Sequence, residues 1–199
     1  LCIVLSISIV LSVVLAGAGG AGAGAPPKTP RDPGATALAA VAVLHAGISA
    51  AGFTPYQDGY DYENHGRFLI HKAGPEGWYT TTVRLPHGAK VTKMTFHWYD
   101  NSATYQAKAR LQRTEFGQGN YQEMAYAESP LSGAPGYGSS DDDTISYPDI
   151  DNSKYGYWVV WDLPPTPDVR GCGVVIEYNP PGVLGDVFNL SAAAFTPYE

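Results

Sequence analysis

Val91-Thr92-Lys93-Met94-Thr95-Phe96-His97-Trp98-Tyr99 alternates strictly: Met94, Phe96 and Trp98 fall on one face, Lys93, Thr95 and His97 on the other. Successive side chains of an extended chain point to opposite sides, so this pattern predicts a strand with one face buried and one wet. Tyr105 to Arg113 repeats it, with Ala107, Ala109 and Leu111 inward and Lys108, Arg110 and Gln112 outward. Upstream, Trp78 to Leu85 is β-branched and aromatic, the composition strands favour, and Pro86-His87-Gly88 turns the chain. Arg67 to His71 and Gln122 to Glu128 are shorter strand candidates, and Gly133 to Asp143 is predicted as a Gly/Ser/Asp loop. Tyr155 to Leu163 and Val169 to Tyr178 flank Pro164-Pro165-Thr166-Pro167-Asp168. Tyr157, Val159 and Trp161 share a face of the first; Cys172, Val174, Ile176 and Tyr178 are expected to share a face of the second. About eight short strands without a convincing helix between them predict an all-β fold, an antiparallel β-sandwich of jelly-roll-like arrangement.

Outside this body the chain changes character. Ile3 to Ala16 is uncharged and rich in Leu, Ile and Val, followed by the small-residue sites Ala16-Gly17-Ala18 and Ala21-Gly22-Ala23. That run is shorter than the ~20 residues that cross a bilayer as a helix. A signal peptide is expected over 1–25, cleaved or else retained as a membrane anchor, with membrane contact only through it. A Pro/Ala-rich linker is expected over 26–45 and the sandwich over 46–179. Cys2 falls in the signal, leaving Cys172, and a single thiol makes no internal disulfide.

Residues 48–56, Ile-Ser-Ala-Ala-Gly-Phe-Thr-Pro-Tyr, return at 190–198 as Leu-Ser-Ala-Ala-Ala-Phe-Thr-Pro-Tyr, identical at seven of nine positions. The offset is that of a domain, so 180–199 is expected to be a linker and the start of a second, truncated repeat. Tandem copies would offer the same surface twice, which suits avidity or spacing on a cell surface better than one catalytic centre, and they could also self-associate. The 48–56 segment is expected to act as one strand, open to donation to a neighbouring copy.

Leu85-Pro86-His87-Gly88-Ala89-Lys90-Val91-Thr92, Trp98-Tyr99-Asp100-Asn101-Ser102, Ala109-Arg110-Leu111, Asp151-Asn152-Ser153-Lys154-Tyr155-Gly156-Tyr157 and Gly173-Val174-Val175-Ile176-Glu177-Tyr178 form an ordered set. The set resembles that of uncharacterised secreted bacterial β-sandwich domains, sometimes in tandem. The resemblance implies an extracellular β-sandwich and no assigned chemistry.

Twelve basic residues against 19 acidic ones give a net charge of −7, without a Lys/Arg cluster, which speaks against nucleic-acid binding. Asp141, Asp142 and Asp143, with Asp149 and Asp151, could supply oxygen ligands to calcium, although their spacing is not that of an EF-hand. No other cofactor is expected. The acids of Asp58-Gly59-Tyr60-Asp61-Tyr62-Glu63-Asn64-His65 lack a spacing that would fix two carboxylates across a sugar. The histidines lack zinc spacing and no Gly-x-Ser-x-Gly elbow occurs.

Aromatics are the better lead. Flat rings on a sheet can stack on sugars, and Trp158, Tyr60 and Tyr62 are the candidate ligand-binding residues. Trp158 and Trp161 are three apart and so point to opposite faces of a strand. With Trp161 in the core, Trp158 faces outward or into a second layer. The expected function is a non-catalytic module, secreted or on the cell surface, for adhesion, carbohydrate contact or structural spacing, with glycans or surface polymers as partners. The alternative is an accessory module of a secreted enzyme.

Overall fold

The computed structural model describes residues 42–131 and 136–182. Among them β1 (Leu44–Ser49), β3 (Asp61–Asn64), β4 (Leu69–Ala73), β6 (Lys90–Asp100), β9 (Gly136–Asp142) and β11 (Val169–Asn179) form one sheet. Its order is β3-β4-β11-β6-β9, with β1 also pairing β11. A second sheet, in the order β2-β5-β10-β7-β8, consists of β2 (Thr54–Pro55), β5 (Gly77–Thr82), β7 (Lys108–Glu115), β8 (Tyr121–Glu128) and β10 (Tyr155–Leu163). Every pairing is antiparallel. Only β3–β4 and β7–β8 are hairpins; every other connection crosses between the sheets, giving the jelly-roll-like sandwich that the alternation predicts. No helix among the described residues is long and apolar enough to cross a membrane.

The inward residues of the alternating strands meet between the sheets. Met94 and Phe96 of β6, Ala109 and Leu111 of β7, Val159 and Trp161 of β10 and Ile176 of β11 are all fully buried. Each large apolar side chain so removed from water contributes roughly 1.5–3 kcal/mol. Trp161 sits at the centre, with Phe53 stacked on it and Phe96 at a ring-centroid distance of 5.8 Å. Gly171 on the facing sheet leaves it room, since a Cβ there would lie 2.5 Å from the indole.

Four expectations need correction. Cys172 does not share a face with Val174 and Ile176. The register between β11 and β6 slips between Gly171 and Gly173, so Cys172 is an extra bulged residue. It packs with Phe68, Ile70 and Tyr99 in a separate small cluster.

Residues 136–142 are a strand and not a loop, paired with β6 from Met94↔Asp142 to Asp100↔Gly136. Its small residues accommodate Trp98: a Cβ on Gly138 would lie 2.4 Å from the indole, and the indole Nε1 donates to the Ser140 hydroxyl at 3.0 Å. The apolar partner of β9 thus comes from β6, and hydrophobic alternation is absent from its own sequence.

Residues 48–56 are not one strand. They comprise the end of β1, a 3-10 turn at Ala50–Gly52, and β2, carrying the chain from one sheet to the other with Ala50 and Phe53 in the core. β1 itself opens at Leu44, inside the segment expected to be linker. The signal segment and the second copy of the motif at 190–198 lie outside the described residues.

The free side of β8 is partly covered. The Ser146 amide donates to the Met124 carbonyl at 2.8 Å, and the Tyr126 amide donates to Asp142 Oδ2 at 2.7 Å.

Candidate functional site

β10 runs through the middle of the second sheet, flanked by β5 and β7. With Val159 and Trp161 turned inward, Gly156, Trp158, Val160 and Asp162 turn outward. Register then fixes their neighbours, because residues directly opposite across a ladder share a face. Thr82, Trp158, Gln112 and Glu123 form one row across β5, β10, β7 and β8; Thr80, Val160, Arg110 and Tyr126 form the next; Trp78, Asp162, Lys108 and Glu128 form a third.

Aromatic rings lie along this face. Trp158 is half-buried at its middle. At one end the exposed ring of Trp78 meets exposed Tyr56 edge-on at 6.1 Å. At the other, exposed Phe116 lies over Gly156, where a Cβ would come within 3.4 Å of its ring, and exposed Tyr121 stands opposite Thr114. From Gly156 to Asp162 is six residue steps, about 20 Å of extended chain.

Between the rings lies a polar network. Arg110 donates to Asp162 Oδ2, its Nε lies 3.2 Å from Glu123, and its guanidinium stands 5.3 Å from the centre of the Tyr126 ring. The Tyr126 hydroxyl donates to Glu128, and Lys108 donates to Glu76 at 3.2 Å. Burial pushes the Asp162 carboxyl above the usual aspartate range, with the Arg110 hydrogen bond pulling against it. Burial and the Glu128 contact push the Tyr126 phenol well above its ordinary value.

The structure puts Trp158 on this outer face and separates it from Tyr60 and Tyr62. Those two belong to the margin of the opposite sheet and turn inward, partly buried, with both rings against Tyr79 at 5.8 and 5.4 Å. Tyr60 also meets His71, a fully buried imidazole. Its Nε2 donates to the Pro75 carbonyl at 2.7 Å, which leaves Nδ1 to accept from the Tyr79 hydroxyl at 2.8 Å. These groups fill the sandwich margin.

The five aspartates considered for calcium are not brought together. Asp141 and Asp142 are neighbours in β9 and so face opposite ways. Asp142 accepts from the amides of Tyr126 and Thr144 and from the Thr144 hydroxyl. Asp151 accepts from the amide and hydroxyl of Ser153, beside His87, and Asp149 pairs through its backbone with Lys90. Among the described residues no three His, Cys, Asp or Glu side chains are gathered in a metal-holding group.

Sequence pattern alone does not mark Asp162, Arg110, Glu123 and Tyr126 as a group. The available signal was Asp162 itself, an acid inside the otherwise apolar run Tyr157 to Leu163.

No family model matches the sequence, and no curated protein does. Among solved structures, the chain is similar to the CBM22-2 xylan-binding domain from Paenibacillus barcinonensis Xyn10C. The identity is 13%, covering 67% of this chain and 96% of that one, with a TM-score of 0.43. It is also similar to a point mutant of a carbohydrate binding module of family 29, at 11% identity over 69% and 89% of the two chains, TM-score 0.36. A third is the family 11 carbohydrate-binding module from Clostridium thermocellum, at 12% identity over 65% and 89%, TM-score 0.36. Likeness at this level carries no ligand from one chain to another; function must be argued from the site.

Proposed function

We propose that this chain is a non-catalytic, exported module that binds carbohydrate along β10, on the outer face of its second sheet. The observation that supports this most is the grouping of Trp158, Trp78, Tyr56, Phe116 and Tyr121 on one face around Arg110, Gln112 and Glu123. Aromatic rings offer flat apolar area to the C–H faces of sugar rings, and the charged and amide groups between them suit hydroxyls. A length of about 20 Å fits several consecutive rings of an extended polysaccharide better than a single sugar. The carboxylates of the face are engaged, Asp162 and Glu123 with Arg110, Glu76 with Lys108 and Glu128 with Tyr126, which suits recognition better than proton transfer. On this reading the module serves adhesion to a surface polymer.

The test is affinity electrophoresis of the full chain through gels containing soluble polysaccharides. Wild-type protein is expected to be retarded, and Trp158→Ala or Trp78→Ala to migrate freely with an unchanged circular dichroism spectrum. Equal retardation of both variants and the wild type would remove the reading.

A further inference from the structure

Asp162 differs from the other carboxylates of this face. Its side chain is only 5% exposed. One carboxylate oxygen, Oδ2, takes the Arg110 hydrogen bond, while Oδ1 has no hydrogen-bond partner. Buried polar atoms are nearly always paired, and one that is not calls for an explanation. The neighbours of Asp162 supply a physical one. Lys108 stands directly opposite on β7 and Trp78 directly opposite on β5. Glu76, just before β5, receives the Lys108 ammonium, so this ion pair crosses β10 at Asp162. Both of its members reach solvent, and exposed pairs of this kind are weak enough to part readily.

Charge narrows the ligand. In the polar network itself four carboxylates, Glu76, Glu123, Glu128 and Asp162, meet two cations, Lys108 and Arg110. An ionised carboxylate only accepts hydrogen bonds, so the surplus calls for hydroxyl donors and repels a polyanion.

We propose, resting on the carbohydrate reading above, that Asp162 and Arg110 form the hydroxyl-reading subsite of the face, that the Lys108–Glu76 pair covers it, and that the ligand is a neutral polysaccharide. When the pair opens, Asp162 Oδ1 accepts from one sugar hydroxyl and a guanidinium N–H of Arg110 donates to the neighbouring oxygen. Uronate and sulfated polymers are rejected by the surrounding carboxylates.

The experiment is affinity electrophoresis of the full chain in hydroxyethylcellulose, galactomannan and polygalacturonate, for wild type, Trp158→Ala, Asp162→Asn and Glu76→Gln. Retardation is expected in at least one neutral polymer and not in polygalacturonate. Asp162→Asn is expected to lose tenfold or more of the neutral affinity, and Glu76→Gln, which releases the cover from an exposed position, to gain severalfold. If Trp158→Ala abolishes retardation while Asp162→Asn and Glu76→Gln match wild type, the subsite is overturned and the aromatic face stands. If no polymer retards the wild type, or if Trp158→Ala, Asp162→Asn and Glu76→Gln are all retarded like it, the carbohydrate reading of this face fails and takes the subsite with it. Polygalacturonate binding as strong as neutral binding overturns the neutral-ligand assignment. Should Asp162→Asn not fold, Glu76→Gln decides: unchanged or reduced affinity overturns the proposal.

Discussion

Phe53 lies flat on Trp161, their ring centroids 3.5 Å apart and their planes 13° from parallel. The segment that carries Phe53 joins the two sheets, so this stack fastens the crossover to the centre of the core. Phe53→Ala is expected to destabilise the fold by about 3–5 kcal/mol, the usual range for removing a buried aromatic ring. Urea denaturation of the purified chain measures it. A loss below about 1 kcal/mol, the size of a surface substitution, would mean that the crossover is not held by this contact.

The close approach of Gly171 to Trp161 predicts a coupling. Gly171→Ala alone puts a methyl group against the six-membered part of the indole, and overpacking of this kind costs about 1–3 kcal/mol. Trp161→Phe removes ring atoms at that point, and the indole Nε1 it also removes has no hydrogen-bond partner to lose. The double variant is therefore expected to be more stable than the sum of the two single changes predicts. A double-mutant cycle by chemical denaturation reads this directly, and strict additivity would contradict the contact.

Acid should loosen the cover of β8. Burial works against the Asp142 carboxylate, but the Thr144 hydroxyl and the amides of Tyr126 and Thr144 outweigh it and hold its pKa below the ordinary 3.8. A carboxyl group with a lowered folded-state pKa contributes stability above its unfolded value, and that contribution disappears as pH falls through the folded value. Stability is thus expected to decline below about pH 3.8, less steeply in Asp142→Asn than in wild type. Denaturation midpoints across pH 2.5–6, a range chosen to span about one unit or more on either side, supply the comparison. Parallel curves for the two proteins would sink the assignment.

Calcium provides a plain contrast. Because the five aspartates form no metal-holding group and Asp142 and Asp151 are engaged by neighbouring amides and hydroxyls, removing divalent ions with EDTA is expected to leave the thermal midpoint unchanged. A calcium-dependent rise of several degrees would show that these loops close around an ion in solution.

The fold was legible wherever a strand carries its own apolar stripe. β6, β7 and β10 declared their inward faces through Met94 and Phe96, Ala109 and Leu111, and Val159 and Trp161. β9 did not, because the ring that covers Gly138 and Ser140 belongs to Trp98 on another strand. The bulge at Cys172 was equally hidden: alternation counts residues and cannot see an extra one inserted into a ladder.

Of the candidate site, Trp158 could be reached by parity from Trp161. Tyr60 and Tyr62 could not be separated from it, since their inward turn depends on Tyr79 and His71 across the sandwich. The Arg110–Asp162 pair links strands whose neighbourhood only the pairing of β7 with β10 reveals.

Exposed sheet margins are where β proteins most readily zip together. Here Met124 and Tyr126 already have their outward backbone groups occupied from within the same molecule. A second molecule pressed against that rim would find fewer hooks for its own main chain. Molecules crowded together should then stay separate beads at that rim instead of joining sheet to sheet.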